Sequence, residues 1–163
     1  MPKETNFYKK TESYIETGAF EGYSIQLALD SGFSKIYAIE LIEHYYKHCV
    51  DRFLNEPKVQ MILGDSSLKL KEVLDNNPNM PFTYWLDAHM SDSTPLITEL
   101  EMILSRNING ELIYVDDMRL YENFDQTVNI QTITDLIKKY KPNAKISYES
   151  DRWHSNDILI IDY

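Results

Sequence analysis

Cysteine is almost missing from this chain of 163 residues: Cys49 is the only one, so no internal disulfide can form. The fold must rest on an ordinary packed core, and the length is sufficient for one. Positive charge is scarce as well, with 16 Lys and Arg against 26 Asp and Glu and a formal net charge of −10. A surface built to neutralise phosphates has the opposite balance, so nucleic acid is not expected as a partner, whereas cationic or small neutral ligands are. No apolar run approaches the length of a membrane span, and the opening residues MPKETNFYKK lack the apolar core of a signal peptide. Repeats, low-complexity tracts and linker-like shifts in composition are absent too. The expectation is a soluble, cytoplasmic, single-domain protein over residues 1–163 with no membrane partner.

Glycine is also sparse, five in all, and this decides how one stretch is read. YIETGAFEGYSIQLAL, residues 14–29, passes from a strand-like start through Gly18 and Gly22 into a helical pattern. That is the layout of a nucleotide-binding loop. The dinucleotide pattern G-x-G-x-x-G aligned on Gly18 puts its second and third glycines at Phe20 and Tyr23. The second glycine lets backbone approach a pyrophosphate, and Phe20 carries the bulk that glycine avoids. Glu16 beside the loop would repel a pyrophosphate but suits an ammonium or sulfonium group. S-adenosylmethionine has adenosine, ribose hydroxyls, an α-ammonium and a sulfonium, with no phosphate. An NAD(P) dehydrogenase fails on the same two residues.

The remaining sequence alternates between strand and helix patterns. Strands are predicted at 14–17, 35–40, 58–63, 82–86 and 111–115, and helices at 21–31, 42–54, 67–75, 95–106 and 127–140. Gly32 is placed as a left-handed helix terminator, Pro95 as a first helical residue and Thr94 as its cap. Two last strands, 144–148 and 158–162, have no helix between them. Strands alternating with helices imply parallel βαβ crossovers, and the final pair an antiparallel hairpin. The fold class is therefore α/β: a three-layer Rossmann-like sandwich on a mostly parallel seven-stranded sheet, with a C-terminal antiparallel edge hairpin.

Open α/β sheets bind ligands outside the carboxyl ends of their strands. Acids recur there: Glu16, Glu40, Asp65, Asp87, then Asp116 and Asp117. Any one is explained as a turn or helix-capping residue; recurrence over five strands favours a site. Glu40 lies about 20 residues past the loop glycines, the spacing at which an acid accepts ribose hydroxyls in Rossmann sites.

In this order, E-T-G-A-F-E-G, I-Y-A-I-E-L, G-D-S, W-L-D-A-H and I-Y-V-D-D-M-R resemble the successive motifs of class I S-adenosylmethionine-dependent methyltransferases. The resemblance covers roughly residues 14–120, and the strand pattern extends it to the C-terminus. It implies that Gly18 and Gly22 shape the loop around the methionine part of the ligand, with Glu16 nearby. Phe20 belongs to the same cofactor-binding loop, where many relatives carry glycine. Glu40 would hold the ribose with Leu41 beside it, and Asp65 and Ser66 would sit by the adenine.

The second half of the candidate site is acidic. Asp87, Asp116 and Asp117 offer an oxygen-rich set for Mg²⁺ or Mn²⁺, or else act as hydrogen-bonding and capping acids without a metal. The pattern is similar to metal-dependent O-methyltransferases, in which the ion holds the acceptor hydroxyl and lowers its pKa. Met90 stands where catechol-type relatives carry a lysine base, so His89 is the better base candidate, with Asp87 as the catalytic acid residue. Arg119 either orients an anionic substrate group or pairs with Asp117, and Trp153 and His154 either line the substrate side or form a plain surface loop. His44, His48 and Cys49 read as a solvated helix face and a packing residue.

The expected activity is S-adenosylmethionine-dependent methyl transfer, to the oxygen of a small-molecule or glycan-like acceptor. The alternative is a non-catalytic S-adenosylmethionine- or adenosine-binding module, or one subunit of a larger assembly. Connections after the fourth and fifth strands are short, so a second subunit (a homo-oligomer) completes the pocket, the acceptor is large, or there is none. Nucleic-acid methylation loses on motifs, because neither a Pro-Cys nucleophile nor a D/N-P-P-Y/F/W run is present.

Overall fold

A computed structural model describes residues 10–90, 93–124, 128–151 and 153–163. Seven strands form one sheet: β1 (Ser13–Thr17), β2 (Lys35–Glu40), β3 (Val59–Leu63), β4 (Phe82–Leu86), β5 (Leu112–Val115), β6 (Lys145–Glu149) and β7 (Ile158–Asp162). Among the described residues six helices accompany them: α1 (Tyr23–Asp30), α2 (Glu43–Arg52), α3 (Ser66–Asn76), α4 (Leu96–Leu104), α5 (Met118–Phe124) and α6 (Ile130–Tyr140). The strand order is β3-β2-β1-β4-β5-β7-β6. The first five strands pair in parallel, whereas β7 runs antiparallel to both β5 and β6. No helix among the described residues is long and apolar enough to cross a membrane.

Side-chain alternation along the strands divides the core in two. Ile15, Ile39, Tyr84, Ile113 and Ile161 face α3, α4 and α6, while Tyr14, Ile36, Trp85 and Tyr114 face α1 and α2. Strands β1, β4 and β5 are buried along their whole length, as a sheet covered on both faces requires. Together these make the expected three-layer sandwich.

Polar ends are handled locally. Asp65 caps α3 by accepting from Ser67 N at 2.8 Å, and Asn129 caps α6 by accepting from Thr132 N at 3.0 Å. The N-cap position of α4 falls on Pro95 instead of the expected Thr94, whose Oγ1 still accepts from Leu96 N at 3.2 Å and donates to Ala88 O at 3.0 Å, tying the helix start to the loop after β4. Helix α4 begins at Leu96, one residue past the predicted Pro95.

Two sequence readings change. The last helix starts at Ile130, and the predicted start, Thr127, lies outside the described residues. Helix α5 was not foreseen: at seven residues it is too short for a helical period to show. Cys49 is fully buried, with burial pushing its thiol up to about 12, and its Sγ donates to Phe20 O at 3.2 Å. A thiol this basic is inert at neutral pH.

At the amino ends of β4 and β5 sits a buried ion pair. Arg106 Nη1 lies 2.5 Å from Glu111 Oε1 and donates to Tyr84 Oη at 2.6 Å, while Nη2 donates to the carbonyls of Asn77 and Met80 at 3.1 and 2.9 Å. Glu111 also accepts from Phe82 N and from the Tyr163 hydroxyl.

Candidate functional site

Sheet connections diverge between β1 and β4: the chain steps from β1 to β2 and β3 on one side, and from β4 to β5 on the other. Such a switch point leaves a crevice at the carboxyl ends of the strands. A cleft of about 650 Å³ opens there, a size typical of small-molecule sites.

One wall is the loop after β1. Gly18 has φ +81°, and a Cβ there would lie 2.5 Å from Asp87 O, so the loop presses directly on the end of β4. Gly22 has φ +78°, and a Cβ would meet the Phe53 ring at 2.6 Å. Only glycine fits either position. Phe20 is the unusual member: its φ is +47°, the left-handed backbone that glycine adopts freely, yet it carries a ring. That ring is half exposed and packs on Tyr45 of α2, with centroids 4.4 Å apart.

Glu40, at the end of β2, fastens this wall. Its Oε2 accepts from Phe20 N at 2.8 Å and its Oε1 from Ile42 N at 2.7 Å. Each oxygen keeps a lone pair for a ligand hydroxyl. Leu41, Asp65 and Ser66 line the same cleft, as do Gly18, Phe20 and Glu40. Sequence reasoning missed Tyr45 and Ile42 as lining residues; the tyrosine-rich start of α2 was read for its histidines, which are exposed.

Glu16 requires a correction. It sits behind the loop, fully buried on the α1 face of the sheet, and does not line the cleft. Burial pushes its carboxyl up to about 8, although the Ser24 and Tyr14 hydroxyls oppose the shift. Glu16 therefore presents no carboxylate to the cleft in the ligand-free fold. Gly22 likewise shapes the loop from outside the cleft.

The opposite wall carries the acids. His89 Nε2 lies 3.1 Å from Asp117 Oδ2 and 3.6 Å from Asp87 Oδ1. Arg119 Nη1 donates to Asp117 Oδ1 at 2.7 Å and is also paired with Asp157, which settles its role as an ion-pair partner. Burial works against the charge on Asp117, but the His89 and Arg119 contacts outweigh it and hold the carboxyl down at about 2. Asp87 shifts the other way. Burial, then the neighbouring Asp116 and Asp117, push it well above the usual carboxylate range.

The expected ligand trio of Asp87, Asp116 and Asp117 is not assembled. Instead Asp87, His89 and Asp117 converge, and Asp116 turns toward Asp117 and Asp157. The reason is local: Asp117 takes φ +56°, and Asp116 Oδ1 accepts from Asp117 N at 2.9 Å, which turns Asp116 away from the cleft. Asp87, His89 and Asp117 each offer one ligand atom, all within 4.8 Å of one another, a set of two carboxylates and an imidazole that could hold a divalent cation. Trp153 and His154 do not line the cleft; His154 Nδ1 is 3.1 Å from Asp151 Oδ2. Position 152 of that loop lies outside the described residues.

Charge is the most informative property of the cleft. Glu40, Asp65, Asp87 and Asp117 line it, and among the described residues no lysine or arginine does. A phosphorylated ligand would meet these acids without a described lysine or arginine lining the cleft to offset its charge. A ligand with a fixed positive charge meets the reverse.

Buried acids behind the cleft give a pH dependence. Burial pushes Glu99 up to about 7, against the Ser66 and Thr17 hydroxyls, and Glu16 stands at about 8. Both pKa values exceed the unfolded one, so the folded state holds these protons more tightly. Their contribution is complete below about 4.5 and is lost as pH rises to about 8. The ligand-free protein is therefore expected to unfold in less urea at pH 8 than at pH 5. Glu99→Gln should recover roughly 1–3 kcal/mol at the alkaline end and little at the acid end. A urea series across pH checks both.

No protein-family model and no curated protein matches the sequence. Solved structures do. An O-methyltransferase from Bacillus cereus in complex with SAH superimposes with a TM-score of 0.69 at 16% identity, covering 94% of this chain and 75% of that one. TomG, an O-methyltransferase from Streptomyces achromogenes involved in tomaymycin synthesis and solved with SAM, gives 0.67 at 17% identity, covering 93% and 73%. A putative O-methyltransferase from Klebsiella pneumoniae gives 0.69 at 16%, covering 93% and 72%. At these identities the likeness establishes the fold, that of the class I Rossmann-like S-adenosylmethionine-dependent methyltransferases.

Proposed function

We propose that the protein is an S-adenosylmethionine-dependent methyltransferase acting on the hydroxyl oxygen of a small-molecule or glycan-like acceptor. One observation carries this reading. One cleft joins a ribose-type carboxylate, Glu40, to a carboxylate–imidazole group, and among the described residues neither lysine nor arginine lines it. S-adenosylmethionine supplies the transferable methyl on a sulfonium, the kind of fixed charge that such a cleft favours.

Glu40 accepts the ribose hydroxyls while its existing bonds keep the Phe20 and Ile42 backbones in place. Leu41 and the Phe20–Tyr45 pair supply apolar surface for the adenosine. His89 Nε2–H donates to the ionised Asp117, which leaves the other ring nitrogen, Nδ1, to take the proton of the acceptor hydroxyl, and Asp117 stabilises the imidazolium that results. The acceptor oxygen attacks the methyl carbon in line with the breaking C–S bond, whose electron pair returns to sulfur. Positioning accounts for most of the rate. Should Asp87, His89 and Asp117 instead hold a divalent cation, the ion would replace the His89–Asp117 hydrogen bond and supply a Lewis acid that lowers the pKa of the acceptor hydroxyl.

The test is release of S-adenosylhomocysteine in the presence of phenolic and sugar hydroxyl acceptors, with and without Mn²⁺. With an active acceptor, His89→Gln is expected to lower kcat about 10²–10⁴-fold, and Asp87→Ala to reduce turnover while leaving S-adenosylmethionine binding intact. Unchanged turnover in both variants would remove these residues from the chemistry. Binding without turnover on any acceptor would leave the non-catalytic binding module.

A further inference from the structure

Strand β6 ends the sheet. Among the described residues it pairs with β7 along one edge only, and all five of its residues are exposed. An edge strand is a row of unpaired backbone donors and acceptors, and proteins usually blunt it with charge. The sequence Lys145-Ile-Ser-Tyr-Glu149 does carry charge, but symmetrically: a cation at one end, an anion at the other, and Ser147 at the centre.

We infer that β6 is a self-complementary docking edge, through which two copies of this chain pair antiparallel and join their sheets. A two-fold axis at Ser147 sets Lys145 opposite the second copy's residue 149, and Ile146 opposite its residue 148. Every resulting pair is favourable. Both ends become opposite-charge pairs, and the centre becomes a hydroxyl pair. Ile146 and Tyr148, 40% and 41% exposed, share one face and meet their counterparts there as a four-residue apolar patch. That face is the α6 side of the sheet, because Ile146 and Tyr148 stand beside the core residues Ile161 and Leu159. Ile130 at the start of α6, 39% exposed, extends the same apolar surface. A parallel pairing in register would instead stack like charges on each other along both ends. The charges therefore favour a second copy in the antiparallel over the parallel orientation.

A five-residue ribbon buries less than a standard interface, so the dimer should be reversible, dissociating on dilution. Sedimentation velocity over a concentration series tests this on the full chain. Lys145→Glu and Glu149→Lys each place like charges opposite one another and are expected to weaken association roughly tenfold or more. The double swap Lys145→Glu/Glu149→Lys restores both pairs and should restore the dimer, which a general surface effect would not do. Ser147→Cys, with Cys49 buried, should form an intermolecular disulfide on mild oxidation. A monomer at every concentration would overturn the inference. So would a dimer indifferent to the single charge changes, or a double swap no better than either single one.

Discussion

Glu40→Ala is expected to weaken S-adenosylmethionine binding by about 10²-fold or more. Two charge-assisted hydrogen bonds to ribose hydroxyls are each worth about 1.5–3 kcal/mol, which alone accounts for such a factor. The loss has a second source in the free protein. The Phe20 and Ile42 amides give up their acceptors, at 2.8 and 2.7 Å, and the loop after β1 loses its tie to the end of β2. Phe20 then has less to hold it at φ +47°. Conservative changes should not rescue binding. Glu40→Gln turns an amide NH₂ toward one of the two backbone N–H groups, and Glu40→Asp is one methylene too short to reach both. Calorimetric titration of the three variants checks the order, with circular dichroism confirming that each is folded.

Arg106→Ala carries the largest expected cost in stability, roughly 3–5 kcal/mol. It leaves the fully buried Glu111 without its cation and removes the donor to Tyr84 Oη and two carbonyls. Arg106→Lys is expected to recover little, because one ammonium cannot span four acceptors that a planar guanidinium reaches together. The network lies at the amino ends of β4 and β5, opposite the cleft. Ligand affinity of the molecules that remain folded should therefore be unchanged. Urea unfolding gives the first quantity, and titration below the unfolding transition gives the second.

Much of this was legible in the sequence because the sheet is largely buried on both faces. Continuous apolar runs such as Phe82–Leu86 and Leu112–Val115 mark such strands without help from tertiary context. The absence of a helix between β6 and β7 foretold the hairpin, and the strand pattern placed Glu40 at the end of β2, where it lines the cleft. Less visible was the direction in which each acid points. Glu16 looked like a ligand contact because it adjoins the loop, but strand alternation carries its side chain under α1 instead. Asp116 and Asp117 are neighbours in sequence, yet the positive φ of Asp117 separates their roles. Such a turn leaves no trace in residue type. Phe20 shows the converse. Its bulk was read as a departure from the glycine pattern, while the backbone keeps the glycine conformation and uses the ring to pack on Tyr45.

The central claim is that the cleft takes a sulfonium nucleoside and no pyrophosphate. Calorimetric titration of the pure protein with S-adenosylmethionine, S-adenosylhomocysteine and NAD, each with and without Mn²⁺, addresses it most directly. The account expects S-adenosylmethionine and S-adenosylhomocysteine to bind with roughly micromolar dissociation constants, NAD to give no heat of binding, and Glu40→Ala to abolish the signal. Binding of NAD with neither methyl-cycle ligand, or S-adenosylmethionine binding that survives Glu40→Ala unchanged, would contradict it.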